Sequence, residues 1–87
     1  MYKIVVEQRV YRDLDKIPTP DLGKIYNAIE SLESNPRQVG SKKLKGQGKT
    51  YRIRQGDYRI VYTIDEVAKV VSIILVRHRK EVCRDFF

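Results

Sequence analysis

One cysteine, one histidine and no tryptophan occur in the 87 residues of this chain. The lone Cys83 excludes an intramolecular disulfide and a cysteine-built zinc site. With His78 as the single imidazole, a transition-metal centre lacks ligands, and neither a metal nor a cofactor is expected. Nor does any stretch approach the roughly 18 consecutive apolar residues of a membrane span. The opening Met-Tyr-Lys-Ile-Val-Val-Glu turns polar too soon for a signal peptide. Repeats, low-complexity segments and linkers are missing as well. The expectation is one small domain over residues 1–87, cytoplasmic, with a single modest core.

What is present is positive charge, unevenly placed. The formal net charge is +7. Residues 1–36 carry five Lys/Arg against six Asp/Glu, and residues 60–87 five against four. Residues 37–59 hold Arg37, Lys42, Lys43, Lys45, Lys49, Arg52, Arg54 and Arg59 against Asp57 alone. Scattered surface lysines often serve only solubility. Concentration in one block, partly on strands, points instead to an anionic partner. Nucleic acid ranks ahead of a membrane, because no amphipathic basic helix carries these charges.

The pattern along the chain predicts an α+β fold. Residues 2–7 are β-branched and aromatic, as in a strand. Val10, Leu14 and Ile17 have the spacing of a short helix from residue 8 to about 17. Pro18-Thr19-Pro20 stops it, with Thr19 a candidate N-cap and Pro20 suited to the next helix's first position. That second helix is predicted to reach about residue 34, burying a stripe of Leu22, Ile25, Tyr26, Ile29 and Leu32. Residues 37–49 read as a basic, glycine-containing loop anchored by Leu44. Strands follow near 50–55, 58–64 and 69–77, the last so continuously apolar that it is expected to be central and covered on much of both faces. Residues 81–87 would form a short helix or tail. The helical hairpin would cover one face of a largely antiparallel sheet and leave the other partly open.

The most telling segment is Tyr-Arg-Ile-Arg-Gln-Gly-Asp-Tyr-Arg-Ile-Val-Tyr, residues 51–62. Alternation puts Arg52 and Arg54 on one strand face, opposite Tyr51, Ile53 and Gln55. The Gln-Gly-Asp connector brings Tyr58, Arg59 and Tyr62 back alongside. Guanidinium groups fixed on a sheet form planar, permanently charged donor forks for phosphate. Of Tyr51, Tyr58 and Tyr62, at least one is expected to face the core, and any facing the arginines could stack a base.

Together with Asn-Pro-Arg, the Lys-Lys-Leu-Lys-Gly loop and the closing His-Arg-Lys-Glu-Val, this segment resembles the RelE/ParE toxin superfamily over nearly the whole chain. The resemblance implies the toxin half of a type II toxin–antitoxin pair. It implies either a RelE-like, metal-free endoribonuclease that cuts mRNA in the ribosomal A site, or a ParE-like toxin that binds DNA gyrase. A catalytically impaired RNA-binding homologue is the third possibility. An acidic or amphipathic antitoxin segment wrapping the toxin is the implied partner.

Carried over by position, the family's basic strand residues fall on Arg52 and Arg54. Its Gly-x-Tyr-Arg arginine falls on Arg59, and the arginine near the end of its last strand falls on Arg79. Where RelE-like sequences place a base-stacking tyrosine, this chain has Cys83. Candidate catalytic residues are therefore Arg52, Arg54, Arg59 and Arg79, with Cys83 at the tyrosine position and His78 the one side chain titrating near neutrality. His78 adjoins Arg79, so the two should face opposite ways on a strand, which favours a structural role for the histidine. Lys42, Lys43, Lys45 and Lys49 are candidate phosphate contacts, and Tyr58 a candidate RNA contact.

Overall fold

The computed structural model describes residues 1–38, 40–44 and 48–81. Its elements are β1 (Lys3–Val6), α1 (Gln8–Asp15), α2 (Thr19–Ser31), β2 (Lys42–Lys43), β3 (Thr50–Gln55), β4 (Tyr58–Asp65) and β5 (Val70–His78). A 3-10 turn, Arg79–Glu81, closes the described chain. The strands form one sheet in the order β1-β5-β4-β3-β2. β1 runs parallel to β5, with both helices in the crossover, and the other neighbours are antiparallel. This is the expected α+β architecture, with two differences. β4, not β5, holds the middle of the sheet. The expected loop also contains a two-residue strand, β2, pairing Lys42 with Arg52 and Lys43 with Tyr51.

The helices cover one sheet face. Val10 and Leu14 of α1, Ile25 and Ile29 of α2, and Ile17 and Leu32 beside them are buried against Ile53, Ile60, Tyr62, Ile64, Val71, Ile73 and Val76. Leu44 is buried as its sequence position suggested, whereas Tyr26 of the predicted stripe is 46% exposed. Pro18, not Thr19, is the N-cap of α2, and its carbonyl accepts from Leu22 N–H at 2.9 Å. α2 stops at Ser31, short of the predicted end. Residues 32–34 tighten into turns in which each N–H bonds the carbonyl three residues back. Between β3 and β4 the reversal takes only Gly56 and Asp57, and Gly56 has a φ of 61°, the left-handed region where a Cβ is unfavourable.

β1 pairs with β5 only as far as Val6 and Ile73, leaving the rest of the β5 edge to α1. Arg9 Nε donates to the Ile74 carbonyl at 3.1 Å, and Val76 N–H donates to Asp13 Oδ2 at 3.3 Å. Side chains thus complete the ladder that β1 leaves unfinished. A bulge in β5 opposite Val61 and Tyr62 skips Ile74 and resets the faces beyond it.

At the opposite end of the sheet, fully buried Tyr62 donates its hydroxyl to the Pro36 carbonyl at 2.6 Å, pinning the chain after α2. Its ring lies 6.0 Å from Tyr51. Burial pushes the Tyr62 hydroxyl up to about 12, so it stays a neutral donor. Tyr62→Phe should cost about 1–2 kcal/mol, because the buried Pro36 carbonyl loses its donor. Urea unfolding checks this, and an unchanged midpoint would remove the hydrogen bond from the account.

Candidate functional site

Antiparallel register decides which side chains share a face, since directly opposed residues project to the same side. One row reads Ile53–Ile60–Val76, and the next Gln55–Tyr58–His78. Both lie on the helix side. The intervening row, Arg54–Arg59–Arg77, lies on the face away from the helices, and beside it runs Lys42–Arg52–Val61–Leu75, in which Val61 is fully buried. Two strands, β3 and β4, therefore bring Arg52, Arg54 and Arg59 together, as the alternation of the sequence implied. Arg79 joins from the turn just past β5. It is held by its N–H bond to the Asp57 carbonyl at 2.7 Å, not by a place on the strand.

The electrostatics are those of crowded cations. The Arg59 pKa is lowered from its ordinary value, first by burial and then by the charges of Arg54, Arg52 and Arg79, with Asp57 opposing them weakly. Arg59 Nη1 is shut off from solvent and, among the described residues, has no hydrogen-bond partner. A guanidinium nitrogen in that position is a donor awaiting an acceptor. Among the described residues, no ion pair or hydrogen bond engages the Arg54 side chain. Arg79 lies 3.6 Å from Asp57, but both side chains are 60% exposed and such pairs are weak and readily exchanged.

The other candidates divide. Lys42 lies across from Arg52, on the arginine side, while Lys43 lies across from Tyr51 and projects to the other. Lys49 precedes β3, where its carbonyl accepts from Ile64 N–H at 3.2 Å and its charge acts on Asp65, far down the hairpin from Arg54. Lys45 and Cys83 lie outside the described residues. All three hairpin tyrosines face the helices. Tyr58 packs edge-on to His78, with ring centres 5.2 Å apart. His78 therefore stands on the opposite face from the arginines. Its Nδ1 accepts the Lys80 N–H at 3.1 Å, so here it shapes the turn that carries Arg79.

Arg37 leaves the basic block altogether. It pairs with Glu66, donates to the Tyr51 hydroxyl at 3.3 Å and lies over that ring, which fastens the loop to the β4–β5 turn. The Tyr51 and Glu66 bonds hold its guanidinium even more firmly protonated than usual.

Two residues at this site, Arg77 and Asp13, are not singled out by the sequence pattern. Arg77 is directly across from Arg59, but its guanidinium is bound by Asp13 of α1, a carboxylate only 10% exposed. Alternation back from Arg79 marks the face of Arg77. Nothing in the local sequence marks its helical partner.

Replacing Arg59 by Met should leave the fold intact and raise its stability by on the order of 0.5–1 kcal/mol, by removing a desolvated cation from like neighbours. Added salt should stabilise the native chain more than the variant, because screening weakens the repulsion. Thermal melts at two ionic strengths measure both effects. A variant destabilised by several kcal/mol would show Arg59 to be a structural residue.

A family model described as the ParE toxin of type II toxin–antitoxin systems matches residues 4–83. The chain is 34% identical over 74 residues to toxin RelG of Mycobacterium tuberculosis, covering 84% of this chain and 85% of that protein. It is 29% identical over 82 residues to a putative toxin RelE1 of Methanocaldococcus jannaschii, covering 91% of each. Among solved structures, the RelE–RelB complex of Pyrococcus horikoshii contains a chain similar with a TM-score of 0.79 at 27% identity, over 93% of this chain and 98% of that one. The RelBE2 toxin–antitoxin complex of M. tuberculosis gives 0.78 at 29% identity, over 90% and 98%. On sequence and fold together, the chain belongs to the RelE/ParE family of type II toxins.

Proposed function

We propose that this toxin is a metal-independent endoribonuclease that cleaves mRNA in the ribosomal A site and is silenced by an antitoxin covering the arginine face. The observation that carries the reading is Arg59, whose solvent-excluded nitrogen has no hydrogen-bond partner among the described residues and lies near the charges of Arg52, Arg54 and Arg79. Such a site is matched to a phosphodiester whose negative charge grows during reaction. Cleavage would proceed by attack of the ribose 2′-oxygen on phosphorus, with rupture of the bond to the 5′-oxygen. The 2′-OH loses a proton, the departing 5′-oxygen gains one, and a 2′,3′-cyclic phosphate and a 5′-hydroxyl result. In this scheme the arginines stabilise the phosphorane-like state, and the weakly compensated charge of Arg59 is the first to gain from the phosphate's arrival. His78, on the far face, takes no part in proton transfer. Cys83, at the family tyrosine position, offers a thiol in place of a stacking ring.

The similar complexes from P. horikoshii and M. tuberculosis pair a toxin with its antitoxin, and an acidic or amphipathic partner for this chain follows by charge complementarity. Induced expression followed by primer extension on ribosome-bound message tests the proposal. Native protein should give discrete A-site ends. Arg59→Ala should reduce cutting by about 100-fold or more, the scale for removing one donor to a developing oxyanion. Intact message accompanied by gyrase-linked DNA breaks would instead assign the gyrase-binding activity of the ParE branch.

A further inference from the structure

Between α2 and the outer edge of β3 lies a cleft of about 440 Å³, within the roughly 300–1,000 Å³ typical of small-molecule sites. Its floor is apolar, with Ala28 and Ile53. Among the described residues, Lys24 and Arg54 are the charged members of its lining, and none of the lining residues carries a carboxylate. Asn27 from α2 and Gln55 from β3 add two carboxamides that no hydrogen bond engages among the described residues. Ser31 and Gln38 close one end by bonding each other at 3.0 Å. Arg54 belongs to both places. It lines this cleft at the β3 edge, while the register sets its side chain across from Arg59 on the opposite, arginine face.

The backbone narrows the choice of occupant. Leu44 N–H donates to the Thr50 carbonyl, so the even-numbered residues of β3 turn their main-chain groups outward. β2 pairs no further than Arg52, and the turn begins at Gly56. Among the described residues, Arg54 alone then presents an outward N–H and C=O beside the cleft. One residue is too short a ladder for an added peptide strand, which draws its affinity from successive main-chain bonds. A flat, polar-edged ring fits better. It can lie on Ala28 and Ile53 while free amides address its edge, as unstacked bases are held in single-stranded RNA recognition.

We propose that this cleft is a nucleobase subsite, receiving the base that adjoins the phosphate held by Arg54 and Arg59, with Asn27 and Gln55 reading its edge. The proposal rests on the ribonuclease reading and adds to it a source of sequence preference outside the arginine face.

Fluorescence anisotropy with oligo(A), oligo(C) and oligo(U) RNA over a salt series tests it, using the full chain and the variants Asn27→Leu and Gln55→Leu, with thermal melts confirming that both fold. The native chain should favour one homopolymer by about five-fold or more, and each variant should bring the three within about two-fold. The salt slope should stay unchanged, because neither variant removes a phosphate contact. Equal native affinity for all three RNAs overturns the subsite while leaving the RNA reading in place, as does a preference that survives both substitutions. Absence of salt-dependent RNA binding in the native chain overturns both. NMR shifts at Lys24 and Asn27 on addition of an acidic peptide, but not of RNA, would assign the cleft to a protein partner and reject the proposal.

Discussion

The pairing register of β3 and β4 is the constraint on which the other features depend. The hydrogen bonds that set Ile53 against Ile60 also set Arg54 against Arg59. Burial of the isoleucine row on one face therefore fixes the arginine row on the other. A slip of one residue would carry guanidinium groups into the core and isoleucines into water, so the apolar face enforces the arrangement strongly. The two-residue turn at Gly56 and Asp57 removes the remaining freedom. In this way a core preference that is indifferent to chemistry holds together charges that would otherwise separate.

Those charges work against the fold. Arg59 carries the clearest sign, with its ionised form disfavoured by burial and by three neighbouring arginines. A site that is uncomfortable when empty gains most from an anion, because the ligand relieves repulsion as well as making new bonds. Asp57 and Asp13 temper the strain differently. Asp57 offers Arg79 a loose, exposed contact, whereas Asp13 holds Arg77 from a nearly buried position on α1. The helix layer thereby governs how many uncompensated cations the arginine face presents.

Much of this was legible in the residues themselves. Alternation in Tyr-Arg-Ile-Arg and the Gly-Asp reversal are local signals, and they were enough to bring Arg52, Arg54 and Arg59 together. What escaped depends on contacts distant in sequence. Lys42 and Lys43 form a strand only because the β3 edge lies beside them, and two residues carry no period. The tyrosines all turn to the helices because the register continues through Tyr51–Tyr62 and Tyr58–His78, which no count of aromatics reveals. Arg77 is hard to single out from sequence because Arg79, with the same spacing pattern, falls at the family's arginine position. Tyr26 falls at helical spacing yet stays exposed, since the apolar stripe of α2 is narrower than its sequence suggests.

The short first strand has a consequence for how molecules of this protein meet one another. A nine-residue strand flanked by a four-residue one leaves open main-chain groups, the kind of template on which copies stack into aggregates. Arg9 and Asp13 occupy those groups on β5 from the side of α1. The first helix thus guards the flank of the sheet as well as covering its core. Clipping either side chain should expose the chain to self-association before it noticeably loosens the fold.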